Sequence, residues 1–389
     1  MSAAEDQAVA PSARAARWPL PARIGINAIF LLPGMGGLDT YVRELVPELV
    51  RAAPEARFAL FCSPAGERYL REFDLAGEVE LVSHPLFGVR GLKALTELTV
   101  LGALAGRRVE LLHSVALTAP LRTRAVSVVT IADVTWMLGR APDVTTRLWR
   151  LIVPPVARRA DRVIAISRAG AEHIVEHLHV PAERIDVTLL GHARTRRADP
   201  IPEVELRRRF ALGKGPIVLM VGTRKPHKNL MRLLAAMPAV RAAHPEVTLV
   251  LAGNPTAHEE ELRRQAHGLG LGHHVAFLPF VEPAELEGLY ATASCFVLPS
   301  LNEGFGLPLL EAMGRGVPTA CSNVSALPEV AGDAARYFDP ARVEEIAGAL
   351  VELLGDPALR EELSARGRAR EAQVTWRATA EATLSSYAR

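Results

Sequence analysis

The chain has 389 residues, 49% of them hydrophobic and 23% charged, which is the balance of an ordinary globular protein. This length predicts roughly two or three domains and excludes a disordered or fibrous chain. Because 45 basic and 43 acidic residues leave a formal net charge of +2, the overall charge does not favour nucleic acid as a partner. The three cysteines, Cys62, Cys295 and Cys321, lie far apart, which favours a reducing compartment over disulfides or a zinc site.

Residues 1–22 predict a loose tail, because they lack the apolar core of a signal peptide. No run of about 18 apolar residues occurs, so no membrane span is predicted and we expect a cytoplasmic protein. Residues 140–168 carry seven arginines against two aspartates, and Leu148, Trp149 and Leu151 lie among them. This segment predicts either a peripheral contact with the inner face of an anionic membrane or an arginine-coated surface helix in an arginine-rich chain.

Short apolar runs alternate with longer helical patterns through the first half of the chain. A glycine-rich turn, Pro33-Gly34-Met35-Gly36-Gly37, follows the first predicted strand and precedes a predicted helix over 39–53. The alternation and the nearly continuous apolar strands predict a parallel sheet covered by helices on both faces. The strands predicted in this half are 23–29, 58–62, 79–82, 111–113, 126–131, 162–166 and 185–187.

Residues 192–212 are polar and charged and contain two prolines, which predicts a linker. The alternation of strands and helices then restarts, so the chain divides into two α/β halves near residue 200. Two such halves predict a cleft between them, lined by the loops at the carboxyl ends of the strands. The strands predicted in the second half are 217–221, 247–251, 275–278, 295–299 and 319–321.

A cluster of cations follows the first predicted strand of the second half. Two of the four lysines of the chain lie in this turn, beside a glycine that lets the backbone turn tightly. Cations crowded at the carboxyl end of a strand predict an anion site, with phosphate as the obvious ligand, rather than a solvated charged turn. The turn contains Gly222, Arg224, Lys225, His227 and Lys228.

A glycine-containing loop, NEGFGLP, follows predicted strand 295–299 and leads into a helix with Pro308 in its first turn. Its glycines allow backbone amides to approach a ligand, and the free N–H groups of the helix can hold a phosphate. Glu303 and Glu311 are separated by seven residues around this helix start. Carboxylates beside a phosphate site predict acceptors for ligand hydroxyls, although glutamates near a helix start are also common surface residues.

These motifs resemble those of glycosyltransferase family 4, retaining enzymes of the two-Rossmann GT-B fold. The resemblance rests on the E-x7-E spacing in EGFGLPLLEAMGRGVP, on GTRKPHKNL and on SNVSALPEVAGDAARYFDP. The matching motifs are frequent over residues 213–375. Over residues 23–200 they are fewer but occur in the same order as in the family. The resemblance implies α/β architecture with a Rossmann-like acceptor domain at 23–198, a donor domain at 199–371 and a last helix, 372–389, that crosses back onto the first domain.

The resemblance also implies roles for individual residues. Glu303 would contact the donor sugar and Glu311 the ribose, while Lys228 aligns with the lysine of a pair of cations on the diphosphate. The arginine of that pair is less clear: Arg224 is displaced by one position but could reach, and His227 stands where other members carry an arginine. The other donor-binding residues that the resemblance implies are Gly36, Gly37, Gly222, Gly304, Phe305, Gly306 and Leu307, with Val281 near the base.

The chain departs from the family pattern at Ala132, where many members have a histidine before the aspartate that is Asp133 here. Three explanations are open: the enzyme's lineage works without that imidazole, the residue was substituted to slow turnover, or the chain is an inactive paralogue. We include Asp133 among the catalytic candidates. His113, at the end of a predicted strand, is the nearest replacement for the missing imidazole, and a structural role for it is equally plausible.

The reaction that this resemblance implies is transfer of a sugar from a nucleotide diphosphate to a hydroxyl, with retention at the anomeric carbon. The PHKNL loop is similar to that of members using GDP-mannose, so we expect a GDP-sugar first and a UDP-sugar second. No Asp-x-Asp triplet occurs, so neither a metal nor another cofactor is predicted. The acceptor is either lipid-linked or anionic, or a small soluble molecule; the oligomeric state is open. A silent nucleotide-sugar-binding subunit is the alternative function, and we expect hinges near 196–204 and 370–375.

Overall fold

The computed structural model describes residues 19–32, 37–73, 75, 77, 79–89, 91–134, 137, 144–192 and 198–389. Several strands are buried over their whole length, as expected for sheets covered on both faces. The strands are β1 (Arg23–Ala28), β2 (Arg57–Cys62), β3 (Val79–Ser83), β4 (Leu111–Ser114), β5 (Val126–Ile131), β6 (Arg162–Ala165), β7 (Ile185–Val187), β8 (Ile217–Val221), β9 (Thr248–Ala252), β10 (Val275–Leu278), β11 (Cys295–Leu298), β12 (Thr319–Ser322) and β13 (Ala335–Phe338).

The helices cover the faces of the sheets with apolar residues at helical spacing. In α1, for example, Val42, Leu45, Val46 and Leu49 are buried. Within the described residues, none of the helices is both long and apolar enough to cross a membrane. The helices are α1 (Gly37–Ala52), α2 (Pro64–Leu70), α3 (Lys93–Thr96), α4 (Gly102–Ala105), α5 (Val144–Arg159), α6 (Arg168–Leu178), α7 (Glu203–Arg209), α8 (Leu230–Ala243), α9 (Glu259–Gly268), α10 (Pro283–Thr292), α11 (Leu307–Gly314), α12 (Leu327–Ala331), α13 (Val343–Gly355), α14 (Pro357–Gln373) and α15 (Trp376–Tyr387).

The strands form two parallel sheets, which confirms the predicted α/β architecture. The strand order is β3-β2-β1-β4-β5-β6-β7 in the first sheet and β10-β9-β8-β11-β12-β13 in the second. In each sheet the chain moves outward in one direction, returns to the centre and then moves in the other direction. Ligands of open α/β sheets bind at the carboxyl ends of strands where this reversal occurs. In the second sheet the reversal lies between β8 and β11, so the loops after these strands are the expected ligand site.

The last helix, α15, crosses back and packs on the first sheet and α1, as the resemblance implies. Trp376 stacks edge to face on Tyr41 of α1, with the ring centroids 5.9 Å apart. Thr379 donates a hydrogen bond to the Leu189 carbonyl over 2.7 Å. Near the end of the chain, the Ser386 hydroxyl donates to Asp186 over 2.6 Å. These contacts fix the C-terminal helix to the first domain.

Two elements differ from the sequence expectation. Part of the predicted linker is the helix α7, because Leu206 is fully buried and would contact a Cβ built at Gly288 of α10 at 3.3 Å. Strand β13 is an addition at the edge of the second sheet, where it pairs with β12. The part of the predicted tail up to residue 18 and the part of the linker over 193–197 lie outside the described residues.

Candidate functional site

The loops after β8 and β11 bring a lysine and a glutamate together where the strand order of the second sheet reverses. The Lys228 Nζ lies 2.5 Å from the Glu303 Oε1, and their side chains are 12% and 10% exposed. The Ser300 hydroxyl donates to the same carboxylate oxygen over 2.6 Å. The pair is therefore held in place and largely shielded from bulk water.

Backbone contacts fix the position of Lys228. Residues Pro226–Lys228 form a 3-10 turn, and Asn229 ends it in the left-handed region with φ of 58°. The buried Asn229 side-chain amide donates to the carbonyls of Pro299 and Pro340 over 3.0 Å and 2.8 Å. The amide of Leu301 donates to the His227 carbonyl over 2.8 Å. The two loops are thus tied to each other independently of the ion pair between their side chains.

The Glu303 loop leads directly into helix α11. Gly306 has a φ of 101°, a conformation that favours glycine, and the helix begins at the next residue, Leu307. A Cβ at Gly306 would lie 2.7 Å from the Leu327 side chain, so the loop also has no space for one. Phe305 is buried at 4% exposure beneath the loop. The helix start, with its free N–H groups, is therefore placed next to the lysine and glutamate.

The first domain forms the opposite wall of this site. A Cβ built at Gly304 would lie 2.5 Å from the Ala132 carbonyl oxygen and 3.0 Å from the Asp133 Cβ. The Ser167 hydroxyl donates to the Gly304 carbonyl over 2.9 Å, and the Arg168 amide donates to Glu329 over 2.7 Å. The residues after β5 and β6 thus meet the Glu303 loop directly, and Asp133 lies beside it.

His227 lies among charged groups from both domains. Burial and then the positive charge of Lys228 lower the pKa of His227, and Lys225 acts in the same direction. The carboxylates of Glu303 and Asp133 oppose this change in the pKa of His227. Because burial and the neighbouring cations favour its neutral form, this imidazole can accept a proton when an anion binds beside it.

Glu311, the second glutamate of the E-x7-E motif, lies in helix α11, and its side chain is held by Tyr290 of α10. The Tyr290 hydroxyl donates to the Glu311 Oε2 over 3.0 Å, and burial raises the pKa of Glu311. Arg315, which pairs with Glu287, acts in the opposite direction on the Glu311 pKa and donates to its backbone carbonyl over 2.9 Å. Sequence reasoning missed Tyr290, because nothing in its local pattern marks it as the partner of this glutamate.

Two family models match successive parts of the chain. The model described as "Glycosyltransferase Family 4" matches residues 35–191, and that described as "Glycosyl transferases group 1" matches residues 203–370. The chain belongs to glycosyltransferase family 4. The E-x7-E motif and Lys228 lie in the part matched by the group 1 model.

Similar proteins include the O-antigen chain mannosyltransferase B of Escherichia coli, which is 33% identical over 237 residues covering 59% of this chain and 60% of that protein. The MMP alpha-(1->4)-mannosyltransferase of Mycolicibacterium hassiacum is 32% identical over 237 residues, covering 60% and 55%. The matched region therefore spans less than two thirds of each of these relatives.

Solved structures share the fold at lower identity. Sucrose-phosphate synthase from Thermosynechococcus elongatus matches with a TM-score of 0.69 and 21% identity over 92% of this chain and 96% of that one. Anabaena Alr3699/HepE, solved in complex with UDP-glucose, matches with a TM-score of 0.69 and 20% identity over 93% and 98%. These likenesses show the two-domain GT-B fold.

The structure corrects one expectation about this family 4 site. Arg224 was expected at the diphosphate, but its side chain is only 1% exposed. Its guanidinium lies 2.7 Å from the Glu259 carboxylate and donates to the Leu251 carbonyl over 2.9 Å and to the Leu278 carbonyl. A buried cation that satisfies a carboxylate and two strand-end carbonyls is a structural element of the β9–β10 edge.

The structure also corrects the interpretation of His113. This side chain is fully buried between the Tyr387 hydroxyl and the Thr130 hydroxyl, both 2.7 Å from its ring nitrogens. Burial lowers the pKa of His113 to about 3, so the imidazole is neutral. It joins the C-terminal helix α15 to the first sheet and does not replace the imidazole that is missing at Ala132.

The remaining residues predicted to bind the donor differ in how close they lie to Lys228 and Glu303. Gly36 lies outside the described residues, and Gly37 is the exposed first residue of α1. A Cβ at Gly222 would lie 3.8 Å from the Lys228 Cε, which places this glycine beside the lysine. Val281 is half-buried next to Phe280, which is 68% exposed. Among the described residues, no group of three His, Cys, Asp or Glu side chains could hold a metal ion.

Proposed function

We propose that the protein is a retaining glycosyltransferase that moves a sugar from a nucleotide diphosphate to a hydroxyl of a glycan, a glycolipid or a small molecule. The observation that carries this proposal is the shielded pair of Lys228 and Glu303 beside the start of α11. A cation and helix amides suit a diphosphate, and a carboxylate suits sugar hydroxyls. The relatives named mannosyltransferases support the same reaction class.

In this mechanism the donor replaces the internal ion pair. Lys228 turns from Glu303 to the diphosphate, and Glu303 then accepts hydrogen bonds from the donor sugar. As the bond from the anomeric carbon to the diphosphate oxygen breaks, the acceptor oxygen bonds to the same face of that carbon and its proton passes to the departing diphosphate. Negative charge grows on the diphosphate, and Lys228 and the amides preceding α11 are preorganised to stabilise it.

We propose that this charge is balanced without a metal ion. The chain has no Asp-x-Asp triplet to bind one at the diphosphate, while it does have the lysine and the helix start. The assay that tests this is turnover in the presence of a chelator. Unchanged turnover is the expected result, and loss of activity that added magnesium restores would refute it.

For the donor we propose a GDP-sugar, with GDP-mannose first and a UDP-sugar second. The PHKNL turn and the relatives named mannosyltransferases support this order. Val281 and the exposed Phe280 follow β10, at the same edge of the second sheet as the loops after β8 and β11, and would border the base. A thermal-shift screen of GDP-, UDP-, dTDP- and ADP-sugars tests the donor, and the largest increase in melting temperature is expected with GDP-mannose. A larger increase with any other nucleotide sugar would overturn the order.

The Glu303→Gln variant tests the reaction itself. It keeps the size of the side chain but removes the charge that orients the sugar, so we expect turnover to fall by about 10²-fold or more. Glu260→Gln, an exposed position on α9, is the matched control and should behave as wild type. Product analysis by NMR should show the donor's anomeric configuration. Wild-type turnover in Glu303→Gln would refute the assignment, and an inverted product would refute retention.

A catalytically silent nucleotide-sugar-binding subunit is the second candidate, because Ala132 stands where family members have a histidine. The two candidates differ in chemistry but not in donor binding. An enzyme would transfer the sugar or slowly hydrolyse the donor. Donor binding in the thermal-shift screen with neither transfer nor hydrolysis, across glycan, glycolipid and small-molecule acceptors, would favour the silent subunit.

A further inference from the structure

The first domain carries a ridge of exposed apolar side chains, which we call the 86–95 ridge. Leu86, Val89, Leu92 and Leu95 recur at every third residue and are 41%, 39%, 42% and 57% exposed. Leu86 lies in the 3-10 turn Pro85–Gly88, in which Phe87 is fully buried, and Leu95 lies in α3. Val89 ends the 3-10 turn and Leu92 precedes α3. Single exposed apolar residues are ordinary, whereas four large ones within ten residues indicate an interaction surface.

A second segment, residues 120–124, packs beside the helical turns that follow this ridge. The Leu121 amide donates to the Leu98 carbonyl over 3.1 Å, and Leu121 is itself 39% exposed. A Cβ at Gly102 would lie 2.0 Å from the Arg122 carbonyl oxygen, so only glycine allows this close approach. The apolar surface is therefore built on a close-packed support in the described structure.

The charge around the ridge is positive. Residues 84–125 contain six basic and two acidic residues; of the basic ones, Arg108 pairs with Glu80 and Arg90 lies outside the described residues. The two acids are both engaged elsewhere, because Glu97 is fully buried and Glu110 accepts a hydrogen bond from the Ala22 amide over 2.9 Å. Arg107, Arg122 and Arg124 line an open groove of about 400 Å³ next to the ridge. Within the part of the chain that the structure describes, no carboxylate pairs with these three arginines.

We infer that the 86–95 ridge and its groove dock on the surface of an anionic phospholipid bilayer. Apolar side chains flanked by arginines match such a surface, since the apolar groups enter the headgroup boundary and the guanidinium groups bind lipid phosphates. A second copy of this chain fits less well, because a symmetric contact would bring the arginines of both copies together. The inference goes beyond the proposed function, because binding to a bilayer requires neither donor nor acceptor.

The helix α5 is the rival surface on the same protein. Leu151 is 74% exposed and Leu148 46% exposed among the arginines of this helix. Helix α5 exposes fewer large apolar side chains than the 86–95 ridge together with Leu121. Among the described residues, the arginines of α5 do not line a groove. Leu151→Asp therefore distinguishes the two surfaces and should leave vesicle binding within about twofold of wild type.

The test is co-sedimentation of the full chain with vesicles, without nucleotide sugar. We expect binding to vesicles of equal parts phosphatidylglycerol and phosphatidylcholine, weak binding to phosphatidylcholine alone, and a decrease with added salt. The double variant Leu92→Asp, Leu95→Asp should bind at least about tenfold more weakly, since each apolar side chain is replaced by a charge. The double variant Val204→Asp, Leu269→Asp, at exposed positions of 81% and 36% on the other domain, is the matched control.

Several results would overturn the inference. Absence of wild-type binding to the anionic vesicles would do so, as would equal binding by the ridge variant and its control. Loss of binding in Leu151→Asp alone would move the surface to α5. A wild-type dimer in solution that the ridge variant converts to a monomer would assign the ridge to a second copy. Because all the substituted positions are exposed, equal melting temperatures are expected, and they confirm that each variant is folded.

Discussion

A single methyl group at Gly304 should block the approach of the two domains. The Cβ of an alanine would lie 2.5 Å from the Ala132 carbonyl oxygen of the other domain, whereas ordinary contacts begin at 3.4 Å. The backbone itself tolerates alanine, because Gly304 is not among the glycines with a positive φ. The steric conflict is with a carbonyl and cannot be relieved by a rotamer change, so the walls of the site must move apart by about 0.9 Å.

This displacement sets the expected magnitude. A misplacement of about 1 Å between reacting groups can lower a rate by about 10²-fold, which corresponds to about 2.7 kcal/mol of activation free energy. We therefore expect Gly304→Ala to lower kcat by about 10²-fold. The KM for the donor should change little, because Lys228 and Glu303 remain on one domain, and the melting temperature should stay within a few degrees of wild type.

Steady-state kinetics and thermal unfolding on the same preparations provide the measurement. Gly348→Ala is the matched control, since a Cβ at this position in α13 would meet nothing within 4 Å. It should leave kcat unchanged and stabilise the helix by about 0.5 to 1 kcal/mol. Wild-type kcat in Gly304→Ala would refute the reasoning. A large fall in its melting temperature would show that the contact is needed for folding rather than for closure.

Three further outcomes follow from buried or partly buried groups. Arg224→Met should lower the free energy of unfolding by about 1 to 3 kcal/mol in urea titrations, because the Leu251 and Leu278 carbonyls lose a hydrogen bond while Arg263 still pairs with Glu259, yet the folded variant should still bind donor. Burial raises the pKa of Glu97 to about 7, so the stability of the wild type relative to Glu97→Gln should fall by about 3 kcal/mol as pH rises from 4.5 through 7, in unfolding curves of both proteins measured at several pH values. Because burial and Lys228 lower the pKa of His227, an arriving anion should favour its protonated form, so donor binding should take up protons and weaken as pH rises. Calorimetry in two buffers of different ionisation heat should show this uptake, and His227→Arg should abolish it.

The sequence predicted most of the fold because its signals are local. The strands of the two sheets appear as short apolar runs, and the loop glycines mark the turns that follow them. Strand β13 was missed because it has four residues and only its two ends are fully buried, so it shows neither a continuous apolar run nor an alternating pattern. Helix α7 was missed because its apolar contacts are few and its sequence is dominated by charge.

The role of a site residue was predictable where the residues of a single loop indicate it. It was not predictable where the role depends on a partner that is distant in the sequence. Lys228 and Glu303 were singled out from loop composition, and the structure joins them across 75 positions. A buried arginine and a phosphate-binding arginine are the same letter in the sequence. The structural role of Arg224 is revealed by its contact with Glu259, 35 positions away. The structural role of His113 is revealed by its contact with Tyr387, 274 positions away.

The open question of the missing imidazole has a direct structural test. His113 is enclosed far from solvent, so the imidazole at the junction of the two domains in the described structure is that of His227, whose pKa responds to Asp133 and Glu303. The Ala132 side chain is exposed, so a histidine fits there without displacing the core.

If the site lost its imidazole, Ala132→His should raise kcat by about 10²-fold at an unchanged donor KM. If His227 already supplies the catalytic imidazole, Ala132→His should change kcat little, and His227→Gln should lower kcat in the wild-type background. If neither variant changes a measurable turnover, catalysis at this site needs no imidazole, which contradicts both a lost imidazole at position 132 and a catalytic role for His227.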